Sequence, residues 1–110
     1  MRQVVLDELQ PADLDQVRRW LDQNAEPSPM NDLYWVEVTD EHLTPGQSSA
    51  ADDRPFRFAV EVGDDWVKFE LLVRSRPNMR SPHTTYAEAG QRNFILDFMD
   101  RMIADLGLRT

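Results

Sequence analysis

The chain has 110 residues, 41% hydrophobic and 29% charged, a balance that supports one compact domain over 1–110 and leaves little room for a second. Twelve Lys and Arg against twenty Asp and Glu give a net charge of −8 and a pI near 4.6; such a field repels nucleic acid and anionic lipid, so neither partner is expected. Cysteine is absent, which excludes disulfides, thiolate catalysis and cysteine zinc sites.

The N-terminal stretch Val4-Val5-Leu6 runs straight into Asp7 and Glu8, which is not the pattern of a signal peptide. Residues 3–6 read equally as a short strand or a lead-in. A first helix is signposted by Pro11 at its first position, with Leu9 and Leu14 spaced as a hydrophobic staple. Leu14, Val17 and Leu21 form a narrow apolar stripe, with Trp20 beyond its edge. Asn24, Pro27 and Pro29 stop the helix.

A strand is expected over 33–38, and its Leu33–Val36 segment is the longest apolar run in the chain, too short to cross a bilayer. With no membrane segment in view, the expected compartment is the cytoplasm. Residues 39–54 lack clear periodicity apart from a turn at Thr44-Pro45-Gly46, and read as a mobile loop, with a single helical turn near Asp40–Leu43 as the alternative. A hairpin follows. Phe56, Phe58, Val60 and Val62 alternate with Arg57, Ala59 and Glu61, and Val67, Phe69, Leu71 and Val73 with Trp66, Lys68, Glu70 and Leu72, around a turn at Gly63-Asp64-Asp65. Parity allows Val60 opposite Val67, which sets Arg57 against Glu70, or Val60 opposite Phe69, which sets Glu61 against Lys68. Residues 84–86 are a last short strand or the lead-in to a C-terminal helix. Thr85 and Glu88 have capping-box spacing, and the helix ends at Gly107.

These elements predict an α+β fold of two layers: a three-stranded antiparallel meander with two helices on one face, in the order α-β-β-β-α. The last helix is apolar over too wide an arc for that fold. At about 100° per residue its hydrophobic positions from Phe94 to Leu96 cover about 200°, where about 100° suffices for a surface helix. Either the first helix covers the surplus, or a partner does. The sequence favours a non-enzymatic interaction module, homodimeric or bound to another protein, using either the last helix (Leu96, Met99 and Ile103) or the outer sheet face (Trp66 and Leu72) as its surface.

Charge is unevenly spread. Residues 1–53 hold three basic and twelve acidic side chains, residues 54–110 nine and eight. From Leu71 to Ala87 there is no acidic residue, while Arg74, Arg76, Arg80 and His83 fall together ahead of a helix. Arginine forks suit phosphate or carboxylate, so the alternative function is a small-anion or acidic-ligand site on these four residues. No serine sits in a nucleophile elbow, and Lys68, the sole lysine, falls mid-strand. The two histidines, His42 and His83, have no metal-ligand spacing. No catalytic motif, metal or cofactor is expected from the sequence.

Overall fold

The computed structural model describes residues 2–109. Its strands are β1 (Gln3–Leu6), β2 (Glu26–Pro27), β3 (Leu33–Glu37), β4 (Phe56–Val62), β5 (Val67–Glu70), β6 (Leu72–Ser75) and β7 (Thr85–Tyr86). The helices are α1 (Pro11–Asn24), the five-residue α2 (Pro45–Ser49) and α3 (Ala89–Leu106). All strand pairs are antiparallel, and the main path runs β1-β5-β4-β3-β2, with β6 on β4 and β7 on β6.

This overturns the three-stranded meander. Seven strands form the sheet, and three of the additional ones are too short to leave a periodic signature: β1, β2 and β7 have four, two and two residues. The fourth addition comes from splitting what reads as one strand over 67–73. Val60 pairs with Phe69, and Arg57 pairs with Arg74, so two residues of β4 face four between β5 and β6. That is a bulge, and it bends the strand. Leu71 sits at the bend. Its N–H donates to Arg2 C=O and its C=O accepts from Ala87 N–H, so the ladder is handed from β1 to the β7 end at this residue.

The even residues of β4 and the odd residues of β5 and β6 face the helices. Phe56, Phe58, Val60, Phe69 and Val73 are fully buried there. Phe98 of α3 is the centre of this layer, packed edge-on against Phe58, Phe69 and Trp20. Trp20 lies off the stripe expected for α1, yet it is buried and its Nε1 donates to Asp105 at 2.9 Å. Four residues of α1 are therefore buried rather than three, and α1 covers more of α3 than its stripe suggests.

Residues 39–54, read from the sequence as a mobile loop, contain two 3-10 turns flanking α2. Gln47 anchors them. It closes a capping box with Thr44, donates from Nε2 to His83 C=O at 3.0 Å, and accepts from Gln91 Nε2 at 2.9 Å. Gln91 in turn caps α3 through Glu88 N–H, so the Thr85–Glu88 box is not formed and Thr85 enters β7 instead. At the far end Gly107 adopts φ of 63°, the left-handed cap that glycine accommodates.

Gln47→Ala leaves His83 C=O and Gln91 Nε2 buried without this partner, so unfolding in urea should show a loss of about 1–3 kcal/mol. Ser48→Ala, one residue on and exposed, should change the midpoint little.

Candidate functional site

The outer face of the sheet lies opposite the core that the helices close. On it, Trp35 of β3 pairs with Ala59, and Arg57 lies two residues along β4. The Arg57 guanidinium stacks over the Trp35 ring, 3.8 Å from its centroid. Directly opposite Arg57 on β6 is Arg74. Like charges in facing positions destabilise a sheet, so this register costs stability. Arg76 follows at the end of β6 and completes a cluster of three arginines.

The carboxylates nearby balance only part of this charge. Arg74 donates from Nε to Glu70 at 2.9 Å, and Arg76 meets Glu26 at 3.2 Å on the surface. Among the described residues Arg57 has no ion pair, and its Nε is buried without a hydrogen-bond partner. Its titration is pushed below the usual arginine range, first by desolvation and then by repulsion from Arg76; Glu26 pulls the other way, and Arg74 adds to the repulsion. The guanidinium stays charged at neutral pH, so the strain is electrostatic rather than a loss of charge.

These side chains open onto a hollow of about 270 Å³, lined by the three arginines with Trp35, Ser75, Met79 and Thr84. No carboxylate lines it. A larger groove of about 860 Å³ lies beyond Trp35 and Arg76, between β3 and α3, but there Glu26, Glu37 and Asp97 face Arg76 and Arg101. Its arginines have carboxylates in the same lining; those of the small hollow do not.

One wall of the hollow is the 76–84 segment, held in place by Asp53. The Asp53 carboxylate accepts from Ser81 Oγ at 2.6 Å and from Asn78 Nδ2 at 3.0 Å, while its backbone C=O accepts from Ser75 Oγ. Ser75 Oγ also accepts from Asn78 N–H, and Thr84 Oγ1 accepts from Ser75 N–H. The Ser81 and Asn78 bonds hold the Asp53 carboxyl below its ordinary range.

Of the four residues expected to bind an anion, the structure brings Arg74 and Arg76 to the hollow and leaves Arg80 and His83 outside it. The reason is the fold of the segment: Arg80 N–H bonds to Asn78 Oδ1 in an exposed turn, and the His83 ring is carried against Gly46 of α2. Trp35 and Arg57 take their places. The two alternative interaction surfaces lie on different layers. Leu96, Met99 and Ile103 are half-buried on the helix layer, whereas Trp66, under Lys68 Nζ at 4.2 Å, and Leu72, opposite Tyr86, lie on the sheet face.

No family model, curated protein or solved structure shows significant similarity to this chain. Among the described residues no helix is long and apolar enough to cross a membrane.

A carboxylate with a lowered folded-state pKa contributes stability above its unfolded value, and that contribution is lost as pH falls through the folded one. Thermal stability should therefore drop as pH falls below about 4, the ordinary Asp range. Asp53→Asn should be less stable than wild type at neutral pH and should show a shallower acid-side drop in a series of melts across pH.

Proposed function

We propose that this protein is a small-anion-binding domain that takes a phosphate- or carboxylate-bearing ligand into the hollow formed by Trp35, Arg57, Arg74 and Arg76. The observation that supports this most is Arg57: a desolvated donor without a partner, facing a second arginine, in a hollow that no carboxylate lines. A buried polar group left unpaired costs about 1–3 kcal/mol. An anion seated between the guanidiniums offsets that cost with charge-assisted, partly bidentate hydrogen bonds. The volume sits just below the range of about 300–1,000 Å³ usual for ligand pockets, so it suits a compact anion rather than a dinucleotide.

The role is binding rather than catalysis. The hydroxyls at the hollow already serve the loop that walls it: Ser75 Oγ donates to Asp53, and Thr84 Oγ1 accepts from Ser75. A cytoplasmic setting, where small phosphorylated and carboxylated compounds are abundant, belongs to the same reading.

Melts with phosphate, sulfate and dicarboxylates, at ionic strength matched with chloride, should show a raised midpoint for at least one of these anions. At a hundredfold excess over Kd the gain is about 2.7 kcal/mol, and each kcal/mol raises Tm by about 4 °C or more in a domain of this size. Arg57→Gln should abolish the rise, and Arg80→Ala should keep it. No shift with any anion, or a shift that survives Arg57→Gln, removes the reading.

A further inference from the structure

We propose that two copies of this chain associate through the free edge of β1, antiparallel, with the Met99–Ile103 strip of α3 packed along the junction. β1 ends the sheet: among the described residues it pairs with β5 on one side and with no strand on the other. Because Arg2 C=O accepts from Leu71 N–H, the even residues Arg2, Val4 and Leu6 turn their backbone groups toward β5. Gln3 and Val5 therefore direct theirs to the open edge. Such a row of donors and acceptors is a template for another strand.

The two ends of the sheet are treated differently by the sequence. At the other end, β2 is only two residues long and contains Pro27, which cannot donate to a ladder. β1 has no Pro, no Lys and no bulge, and instead reads Gln-Val-Val-Leu, with Val5 41% exposed. Beside it, Val5 and Leu6 share a hollow of about 570 Å³ with Met99 and Ile103 of α3, rimmed by the charged Asp7, Glu8, Asp100 and Arg109. Those two helix residues are only partly buried against the core. They are the part of the wide apolar arc that α1 leaves uncovered.

The occupant that fits is the same strand. β1 is basic at its start, Arg2, and acidic just past its end, Asp7 and Glu8. Antiparallel self-pairing sets the Arg2 end of each copy beside the acidic end of the other. A different basic or acidic strand would match only half of this pattern. In a continuous sheet with both helix layers on one side, even residues face even residues. Val4 and Leu6 of both copies then meet under the two α3 strips in one apolar seam. Four paired residues alone fall far short of the roughly 800 Å² per partner of a stable interface, so the helix strips must supply the rest. The contact is isologous and uses the β1 edge of both copies, and the other sheet ends, β2 and β7, are only two residues long, so assembly stops at two.

Light scattering behind size exclusion on the full chain should give twice the 12.8 kDa chain mass. Val5→Pro removes only an N–H that points away from β5, so it should give a monomer with unchanged far-UV circular dichroism. In the wild type, hydrogen exchange at the Val5 amide should be slow and should speed up on dilution. Arg57→Gln should remain dimeric, which separates this surface from the anion hollow. A wild-type monomer up to the solubility limit overturns the proposal, as does an open-ended ladder of larger oligomers. A dimer whose Val5 amide exchanges freely, or one that persists in a folded Val5→Pro protein, overturns it too. If Val5→Pro fails to fold, mass and exchange in the wild type decide alone.

Discussion

The bulge at Leu71 is the constraint on which the outer face depends. Position 57 makes this plain. Pairing Val60 with Val67 places Glu70 opposite Arg57, a stabilising ion pair. Pairing Val60 with Phe69, as observed in the hairpin, places Leu72 there if the register simply continues. With two further residues taken up between β5 and β6, the partner becomes Arg74. Without that slip Arg57 has an apolar neighbour; with it, the guanidinium faces its own kind, and its Nε is buried without a hydrogen-bond partner. The same bend lets Leu71 serve Arg2 on one side and Ala87 on the other, so β1 and β7 each find an edge to join.

A cluster of arginines in an acidic protein is not a contradiction, because the two charges act over different distances. At physiological ionic strength the Debye length is about 8 Å, so carboxylates elsewhere on the surface are largely screened at the hollow. What an approaching anion meets at close range is three guanidiniums, one tied to Glu70 and one to the exposed Glu26. Twelve acids in the first 53 residues set the long-range field and solubility. They do not neutralise Arg57, since among them only Glu26 lies where it pulls the Arg57 titration upward, and desolvation and the neighbouring arginines outweigh it.

Helix positions are legible in this sequence, and the alternating face of β4 and β5 is legible too, because each rests on a repeating pattern several residues long. Strand count is not, since two-residue strands such as Glu26–Pro27 and Thr85–Tyr86 leave no period to detect. Half of the hollow could be read in advance: Arg74 and Arg76 stand out in a window free of acids. Arg57 and Trp35 could not, for a definite reason. A slip of two residues preserves the inside-outside alternation that fixes parity, so hydrophobic pattern is silent on it, and Arg57 looks like one member of an ordinary cross-strand ion pair. The wide apolar arc of α3 was visible, but its coverage turned on Trp20, whose indole reaches Asp105 across the helix pair from a position a stripe would leave outside.

The two layers also explain why unbalanced charge and unpaired backbone collect on the outer face and at one end. Helices α1 and α3 share a single aromatic core around Phe98, so the helix-facing surface of the sheet is sealed. The other surface must hold its own against water. Over most of its area it does so with opposed charges, Glu61 against Lys68 and Arg74 against Glu70, and with cations laid over Trp66 and Tyr86. Such a face resists stacking on another sheet. Only two places break that rule, the unbalanced arginines beside Trp35 and the uncharged edge of β1. Each carries a stability cost or an unpaired backbone that a fold optimised for isolation would have removed, as it removed the β2 edge with a proline.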